Sequence, residues 1–154
     1  MSILEDRIAE AADFFAGRIV GDSDVILAEA LDRRRLDFSV ESLRAVDEWL
    51  EQAWNAGVRL SEETAETIIW AGAYLGEVIR RNAKRRYRWL PYEEYMESQS
   101  EEIREMIPYT FGTQFILAAS DSEMTLPINK VCRWLDEGPE NNLHYYASAE
   151  ISEQ

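Results

Sequence analysis

The sequence predicts a mainly helical α+β domain with a small antiparallel sheet of about three strands. Amphipathic helical patterns occupy both ends of the 154-residue chain. Between them, starting at Arg85, segments with alternating polar and apolar residues predict strands. Helices, then a block of strands, then further helices are typical of the α+β class. No series of alternating strands and helices is visible, so we do not expect a doubly wound nucleotide-binding sheet.

The first half of the chain contains three helical patterns. Apolar residues at steps of three and four predict an amphipathic helix within residues 1–20, with Ser2 as its N-cap. Residues 24–33 predict a weaker helix. Ser39 is the expected N-cap of the next helix, which should end at Gly57 because glycine favours the left-handed conformation found just after helices.

The next helix begins at Ser61 and should be the central one, because residues 67–76 carry no charge and are apolar on most sides. Residues 85–89 alternate as in a half-buried strand. The acidic residues 91–106 predict another helix, and residues 109–117 predict a second strand.

The last part of the chain predicts a hairpin followed by helices. Residues 120–123 favour a turn, and residues 124–126 should form the third strand. Pro127 suits the first position of a helix that Gly138 would close. Residues 139–150 predict one more short helix. Since no Gly/Ser/Pro-rich linker divides the sequence, residues 1–154 should form a single domain with an ordinary core.

Charge and composition exclude several functions. The chain has 16 Lys and Arg against 30 Asp and Glu, a net charge of −14, which disfavours binding to nucleic acid. No apolar stretch is long enough to predict a membrane span. Cys132 and His144 are the only residues of their kinds, so we expect no disulfide, metal or cofactor site. A single cysteine favours the reducing cytoplasm, and the absence of common catalytic motifs favours a protein that is not an enzyme.

The central helix carries the first candidate site. Gly72 and Gly76 lie one turn apart, which indicates close packing of another element. Glu77 follows directly and is expected to form a buried ion pair with Arg80 or Arg81, with a role as general acid or base as the alternative. A pocket between this helix and the sheet would be built from Tyr74, Glu77, Arg81, Tyr87 and Trp89.

Two charged stretches are the other candidates. Six cations lie within residues 80–88, and we expect them mainly to pair with carboxylates of the same chain. The acidic stretch at residues 91–106 is either a solvated helix face or a docking surface for a basic partner. The candidate partner surface consists of Glu93, Glu94, Glu97, Glu101 and Glu105.

Several short motifs resemble an uncharacterised bacterial family of domain-of-unknown-function proteins. They are LDFS at residues 36–39, GAYLGEV at 72–78, RRN at 80–82 and P-x-x-KV at 127–131. The similarity covers about residues 36–146 and leaves the first helix outside. The resemblance implies a small bacterial cytoplasmic protein, and it implies no activity and no catalytic residues.

Two functional hypotheses follow from these observations. The first is a small acidic interaction protein, such as an inhibitor, an immunity-like protein or a regulator, that binds a basic protein. The alternative is a small-molecule-binding domain or a carboxylate-dependent enzyme with its pocket near the central helix. The sequence leaves the oligomeric state open.

Overall fold

The computed structural model describes residues 2–152, which form seven α-helices and three strands. The predicted mainly helical α+β class, with a three-stranded antiparallel sheet, is confirmed. The helices are α1 (Ile3–Phe15), α2 (Leu43–Asn55), α3 (Ala65–Asn82), α4 (Tyr92–Met96), α5 (Glu101–Met106), α6 (Pro127–Glu137) and α7 (Leu143–Ser152). The strands are β1 (Arg88–Pro91), β2 (Phe115–Ser120) and β3 (Glu123–Thr125).

The sheet has the order β1-β2-β3, and both pairings are antiparallel. Trp89 lies opposite Leu117, and both side chains join the main core. Ile116 and Ala118 point to the other face, where they pack with Tyr95 of α4 in a smaller apolar cluster. The sheet therefore separates the main helical core from the α4–α5 region.

Helix α3 is central, as its uncharged sequence predicts, and it packs against α1, α6 and α7. A Cβ at Gly72 would lie 2.6 Å from Cγ1 of Ile128, and a Cβ at Gly76 would overlap the Trp89 ring. The two glycines thus let α6 and β1 approach the helix backbone, which confirms the expected close packing. None of the helices within residues 2–152 has the length and apolar character needed to cross a membrane.

Several helix ends lie where the sequence predicts them. Ser2 caps α1 by accepting the Glu5 N–H at 3.1 Å, and Pro127 is the first residue of α6. Gly57 follows α2 with φ at 91°, and Gly138 follows α6 with φ at 109°. Each of these signals lies in the residues next to the helix end that it marks.

The predicted helix at residues 24–33 is wrong. The chain there forms only short 3₁₀ turns at Ala28–Ala30 and Arg33–Arg35. The indole Nε1 of Trp49 donates to the carbonyl oxygens of Ile26 and Leu27 at 2.9 and 3.1 Å. These contacts tie the carbonyl groups of the segment to α2, and Leu27 adopts a left-handed conformation that an α-helix does not accommodate.

Other boundaries in the first half differ from the prediction. Helix α1 ends at Phe15, short of residue 20, and Gly17 follows with φ at 82°. Ser39 does accept a backbone N–H, from Ser42 at 3.1 Å, but regular helix begins only at Leu43.

The second half needs three corrections. The acidic stretch at residues 91–106 is not one helix but two, because Ser100 starts a new one by accepting the Ile103 N–H at 3.2 Å. Strand β1 lies later than predicted, and β2 begins only at Phe115. A 3₁₀ turn at Phe111–Thr113 takes the place of the expected earlier part of β2.

Candidate functional site

Glu77 lies at the centre of the first predicted site, and its side chain is 1% exposed. Its Oε2 accepts hydrogen bonds from Nε of Arg80 at 2.8 Å and from Nε1 of Trp89 at 3.0 Å. Its Oε1 accepts from Nη2 of Arg80 at 2.8 Å and from Nη2 of Arg81 at 3.1 Å. Glu77 therefore forms the buried ion pair that the sequence predicts.

The surroundings of Glu77 keep it ionised. Burial opposes the charge, but the hydrogen bonds from Arg80 and Trp89 and the charges of Arg80 and Arg81 outweigh it, so the pKa of Glu77 lies below its ordinary value. The same contact raises the pKa of Arg80. A carboxylate that is held ionised, with both oxygens occupied, is poorly suited to act as a general acid or base.

The other residues of the predicted pocket are packed in different directions. The Tyr74 hydroxyl lies 2.6 Å from Oγ of Ser42, in a contact that faces the start of α2. The Tyr87 hydroxyl donates to Glu150 at 2.8 Å, and burial together with Glu150 raises the pKa of Tyr87 to about 12. Only Arg81 and Trp89 meet Glu77. The junction is filled by side chains, which argues against a ligand site at this place.

A second buried carboxylate, which the sequence analysis missed, lies on α2. Asp47 is 8% exposed and accepts the backbone N–H groups of Leu143 at 2.8 Å and His144 at 3.0 Å. It also accepts from Nε1 of Trp134 at 3.2 Å. Burial raises the pKa of Asp47, and the three hydrogen bonds offset this only in part. Asp47 thus caps the first turn of α7 from another helix. Its position on the apolar face of α2, four residues after Leu43, is the sequence feature that could have predicted its burial.

The candidate partner surface is solvent-exposed. Its carboxylates belong to α4, α5 and the residue after α4: Glu93, Glu94, Glu97, Glu101 and Glu105. Within residues 2–152, none of them forms an ion pair. The nearby Arg104 instead donates to the backbone oxygens of Met96 at 2.9 Å and Glu97 at 3.1 Å. The surface therefore keeps its negative charge.

Large apolar side chains follow the acidic surface along the chain. Met106 is 70% exposed, Tyr109 is 63% exposed and Phe111 is 41% exposed. The Tyr109 ring packs edge-on against Tyr92 of α4 with a centroid distance of 5.2 Å. Residues 93–111 thus present carboxylates and exposed apolar groups on one continuous segment. In the basic stretch, Arg80 and Arg81 pair with Glu77, and Nη1 of Arg85 lies 2.6 Å from Oε2 of Glu123. The other three cations, Lys84, Arg86 and Arg88, form no ion pair within residues 2–152, so the expected internal pairing holds for only half of the stretch.

Two apolar cavities lie beside α3, and we refer to them together as the α3 groove. The first has a volume of about 470 Å³, and its lining includes Leu60, Glu62, Ala65, Phe111, Asn129 and Cys132. The second has a volume of about 420 Å³, and its lining includes Ile3, Arg7, Ile69, Ala73, Phe115 and Ile128. Residues of α3, of the segment from the 3₁₀ turn to β2, and of α6 line both cavities. Helix α1 forms the remaining wall of the second cavity and does not reach the first.

The first cavity of the groove contains one thiol, that of Cys132. Burial raises the pKa of the Cys132 thiol to about 11, so the thiol is protonated at neutral pH and is a weak nucleophile. Within residues 2–152, no three His, Cys, Asp or Glu side chains come together in a way that would hold a metal ion.

Comparisons with protein-family models, with curated proteins and with solved structures gave no match.

Proposed function

We propose that this chain is a non-enzymatic interaction protein of the bacterial cytoplasm that binds a basic protein partner through the candidate partner surface. Its role would be that of an inhibitor, an immunity-like protein or a regulator. The observation that carries the proposal is the exposed segment at residues 93–111, in which unpaired carboxylates adjoin Met106 and Tyr109.

In this binding, charge would mainly speed the encounter, and apolar contact would supply most of the affinity. A net charge of −14 attracts a basic protein over a distance and speeds the encounter. Exposed charges contribute little affinity of their own, because water and salt screen them. The exposed side chains of Met106 and Tyr109 are of the types enriched in the centres of interfaces and would supply most of the affinity.

The contacts around Glu77 give no support to the alternative, a small-molecule pocket built from Tyr74, Glu77, Arg81, Tyr87 and Trp89. A ligand there would have to displace Trp89 or break the contacts between Glu77 and the two arginines. Both changes leave buried polar groups without partners, which costs about 1–3 kcal/mol per group.

The test is affinity purification from an extract of the native bacterium, with the purified chain immobilised. We expect a basic protein to be retained at about 0.05 M salt and released at about 0.5 M salt. The double variant Glu101→Gln with Glu105→Gln should weaken the binding of that protein about tenfold.

The matched control removes two exposed carboxylates elsewhere, Glu51→Gln with Glu140→Gln. It should bind almost as well as the unchanged chain. Retention of no basic protein, or equal weakening by both double variants, would overturn the proposal, because the location of the charges would then not matter.

A further inference from the structure

We propose that the α3 groove binds an amphipathic helix of the partner, with its basic end over Glu62 and Glu66 and two apolar side chains inserted in the two cavities. This inference rests on the proposed function and adds the form of the bound segment. It depends on the position of the cavities, on the strand pairing beside them and on the charges at the two ends of the groove.

The spacing of the two cavities fits side chains about two helical turns apart. Ala65 lines the first cavity, and Ile69 and Ala73 line the second. Ala65 and Ala73 are eight residues apart on one helix, about 12 Å at the rise of an α-helix. Side chains at positions i and i+7 of a bound helix are about 10.5 Å apart on one face, and anchors with this spacing are typical of helices bound in grooves.

The walls of the groove favour a helix over an added strand. Strand addition needs a free sheet edge, because the affinity comes from hydrogen bonds between backbones. The strand that reaches the groove through Phe115 is β2, the central strand of the sheet: Phe115 pairs with Pro91 of β1, and β3 pairs with the other side of β2 from Leu117 onward. Recognition in the groove must therefore use side chains, which an amphipathic helix presents in a row along one face.

The charges at the two ends of the groove differ in sign. Glu62 lines the first cavity and Glu66 follows one turn later; both are exposed and neither forms an ion pair within residues 2–152. Arg7 lines the second cavity. A helix carries partial positive charge at its N-terminus and partial negative charge at its C-terminus. The bound helix therefore runs parallel to α3, with lysines or arginines in its first turns.

A second copy of this chain is a poorer occupant. Two copies would bring together net charges of −14 each, and like charges across an interface are unfavourable. Phe111 also connects the groove to the candidate partner surface, since it lines the first cavity and ends the exposed segment at residues 93–111. One basic protein can therefore contact both.

The test uses two synthetic helical peptides of about 20 residues, long enough for stable helix formation. Both carry lysines in the first turns; one has leucine at i and i+7, and the other has serine at those positions. At about 0.15 M salt, calorimetry should give an affinity at least about tenfold higher for the leucine peptide, because each buried leucine contributes about 2 kcal/mol. Equal affinities for the two peptides would overturn the inference.

Variants locate the binding. Ala65→Phe fills the first cavity and should reduce the affinity for the leucine peptide about tenfold, whereas Ala56→Phe at an exposed position should have no effect. Leu60→Ser, at a 41% exposed position, removes the cavity wall without adding bulk and should act in the same direction. If neither groove variant weakens binding, the peptide binds elsewhere and the inference is wrong.

Cys132 provides a direct measure of occupancy, since it is the only cysteine and lines the first cavity. Saturating leucine peptide should slow the alkylation of its thiol at least about tenfold, and the serine peptide at the same concentration should not. Unchanged alkylation in the presence of bound leucine peptide would contradict the inference.

The outcomes separate this inference from the proposed function. Glu101→Gln with Glu105→Gln should leave the leucine-to-serine affinity ratio unchanged. If the two peptides bind equally but the native partner still depends on Glu101 and Glu105, the groove inference fails and the proposed function stands. A dimer in sedimentation equilibrium that Ala65→Phe abolishes would show that a second copy occupies the groove, and it would also overturn the inference.

Discussion

Glu77 and Asp47 are both buried carboxylates, but the regions around them satisfy the charge in different ways. Glu77 faces two arginines, each about one third exposed, and the Trp89 indole. Asp47 has no arginine or lysine partner among the described residues and accepts two backbone N–H groups at the start of α7 and the Trp134 indole. Hydrogen bonds from Arg80 and Trp89, together with the two arginine charges, outweigh burial and lower the pKa of Glu77. Burial outweighs the three hydrogen bonds and the charge of His144 and raises the pKa of Asp47.

The comparison shows two ways in which a buried carboxylate joins elements of the fold. Glu77 connects α3 to β1 through Trp89, and Asp47 connects α2 to α6 and α7. Removal of either carboxylate leaves its partners behind, and the cost depends on whether those partners can reach water.

The largest effect is expected for Glu77→Ala. The substitution leaves the Trp89 N–H buried without an acceptor and brings Arg80 and Arg81 together without their common counter-ion. Loss of one partner of a buried pair costs about 3–5 kcal/mol. Unfolding in urea, followed by tryptophan fluorescence, measures the change in free energy.

Glu77→Gln is the matched control, because the amide keeps the volume and an acceptor for Trp89. It should cost about half as much as the alanine variant. A loss below about 1 kcal/mol for Glu77→Ala would mean that the arginines reach water freely and that the buried pair contributes little.

Asp47→Ala should have a slightly smaller effect, about 2–4 kcal/mol. The substitution removes the cap of α7, worth about 0.5–2 kcal/mol, and leaves the Trp134 N–H buried without an acceptor. Hydrogen exchange should show faster exchange at Leu143 and His144 than in the rest of α7. Asp47→Asn retains one acceptor and should lose less stability than Asp47→Ala. Equal protection of α7 from exchange in the unchanged chain and in both variants would contradict the capping role.

Gly76→Ala tests the packing beside Glu77. An added Cβ would overlap the Trp89 ring, which is 1% exposed and therefore has little room to shift. We expect a loss of about 1–3 kcal/mol, reduced by the higher helix propensity of alanine. Gly57→Ala is not a suitable control, because Gly57 has a positive φ. Gln52→Gly at an exposed position of α2 tests helix propensity without packing and should cost less than about 1 kcal/mol.

The same two carboxylates show how far the sequence could predict the site. The arginine partners of Glu77 lie three and four residues away on one helix, so spacing alone indicates the ion pair. The partners of Asp47 lie 87, 96 and 97 residues away, and no local pattern brings them together. In the sequence, only the position of Asp47 on an apolar helix face indicates that it is buried.

The fold shows the same contrast between features that neighbouring residues determine and features that distant residues determine. The ends of α2 and α6 were predictable because glycine and proline act on their immediate neighbours. The helix predicted at residues 24–33 does not form, and the reason lies far away in the sequence. Trp49, more than twenty residues from Ile26 and Leu27, donates a hydrogen bond to their carbonyl oxygens. The α3 groove was not predicted either, since it requires the assembled positions of α3, α6 and β2.

The pH dependence of stability should distinguish Glu77 from Asp47. A lowered pKa in the folded state means that the stability due to Glu77 is complete above about pH 4.5 and is lost as the pH falls through the folded value. A raised pKa means that the contribution of Asp47 declines as the pH rises from about 3.8 through its folded value.

Urea unfolding from about pH 3 to about pH 7 measures both contributions. Glu77→Gln should flatten the loss of stability in acid, and Asp47→Asn should make stability rise more steeply with pH above about 4. Slopes that change in the same direction for the two variants would contradict the opposite shifts.

The smallest effect on stability is expected at the exposed carboxylates. Glu101 and Glu105 lie four residues apart on α5, where like charges repel by about 0.2–0.5 kcal/mol, and neither forms an ion pair within residues 2–152. Glu101 is also the first residue of α5, where a carboxylate interacts favourably with the helix dipole. The two effects oppose each other, so Glu101→Gln with Glu105→Gln should change the free energy of unfolding by less than about 0.5 kcal/mol. A loss above about 1 kcal/mol would mean that these carboxylates hold the fold together as Glu77 does, and their charge would then no longer be available to a partner.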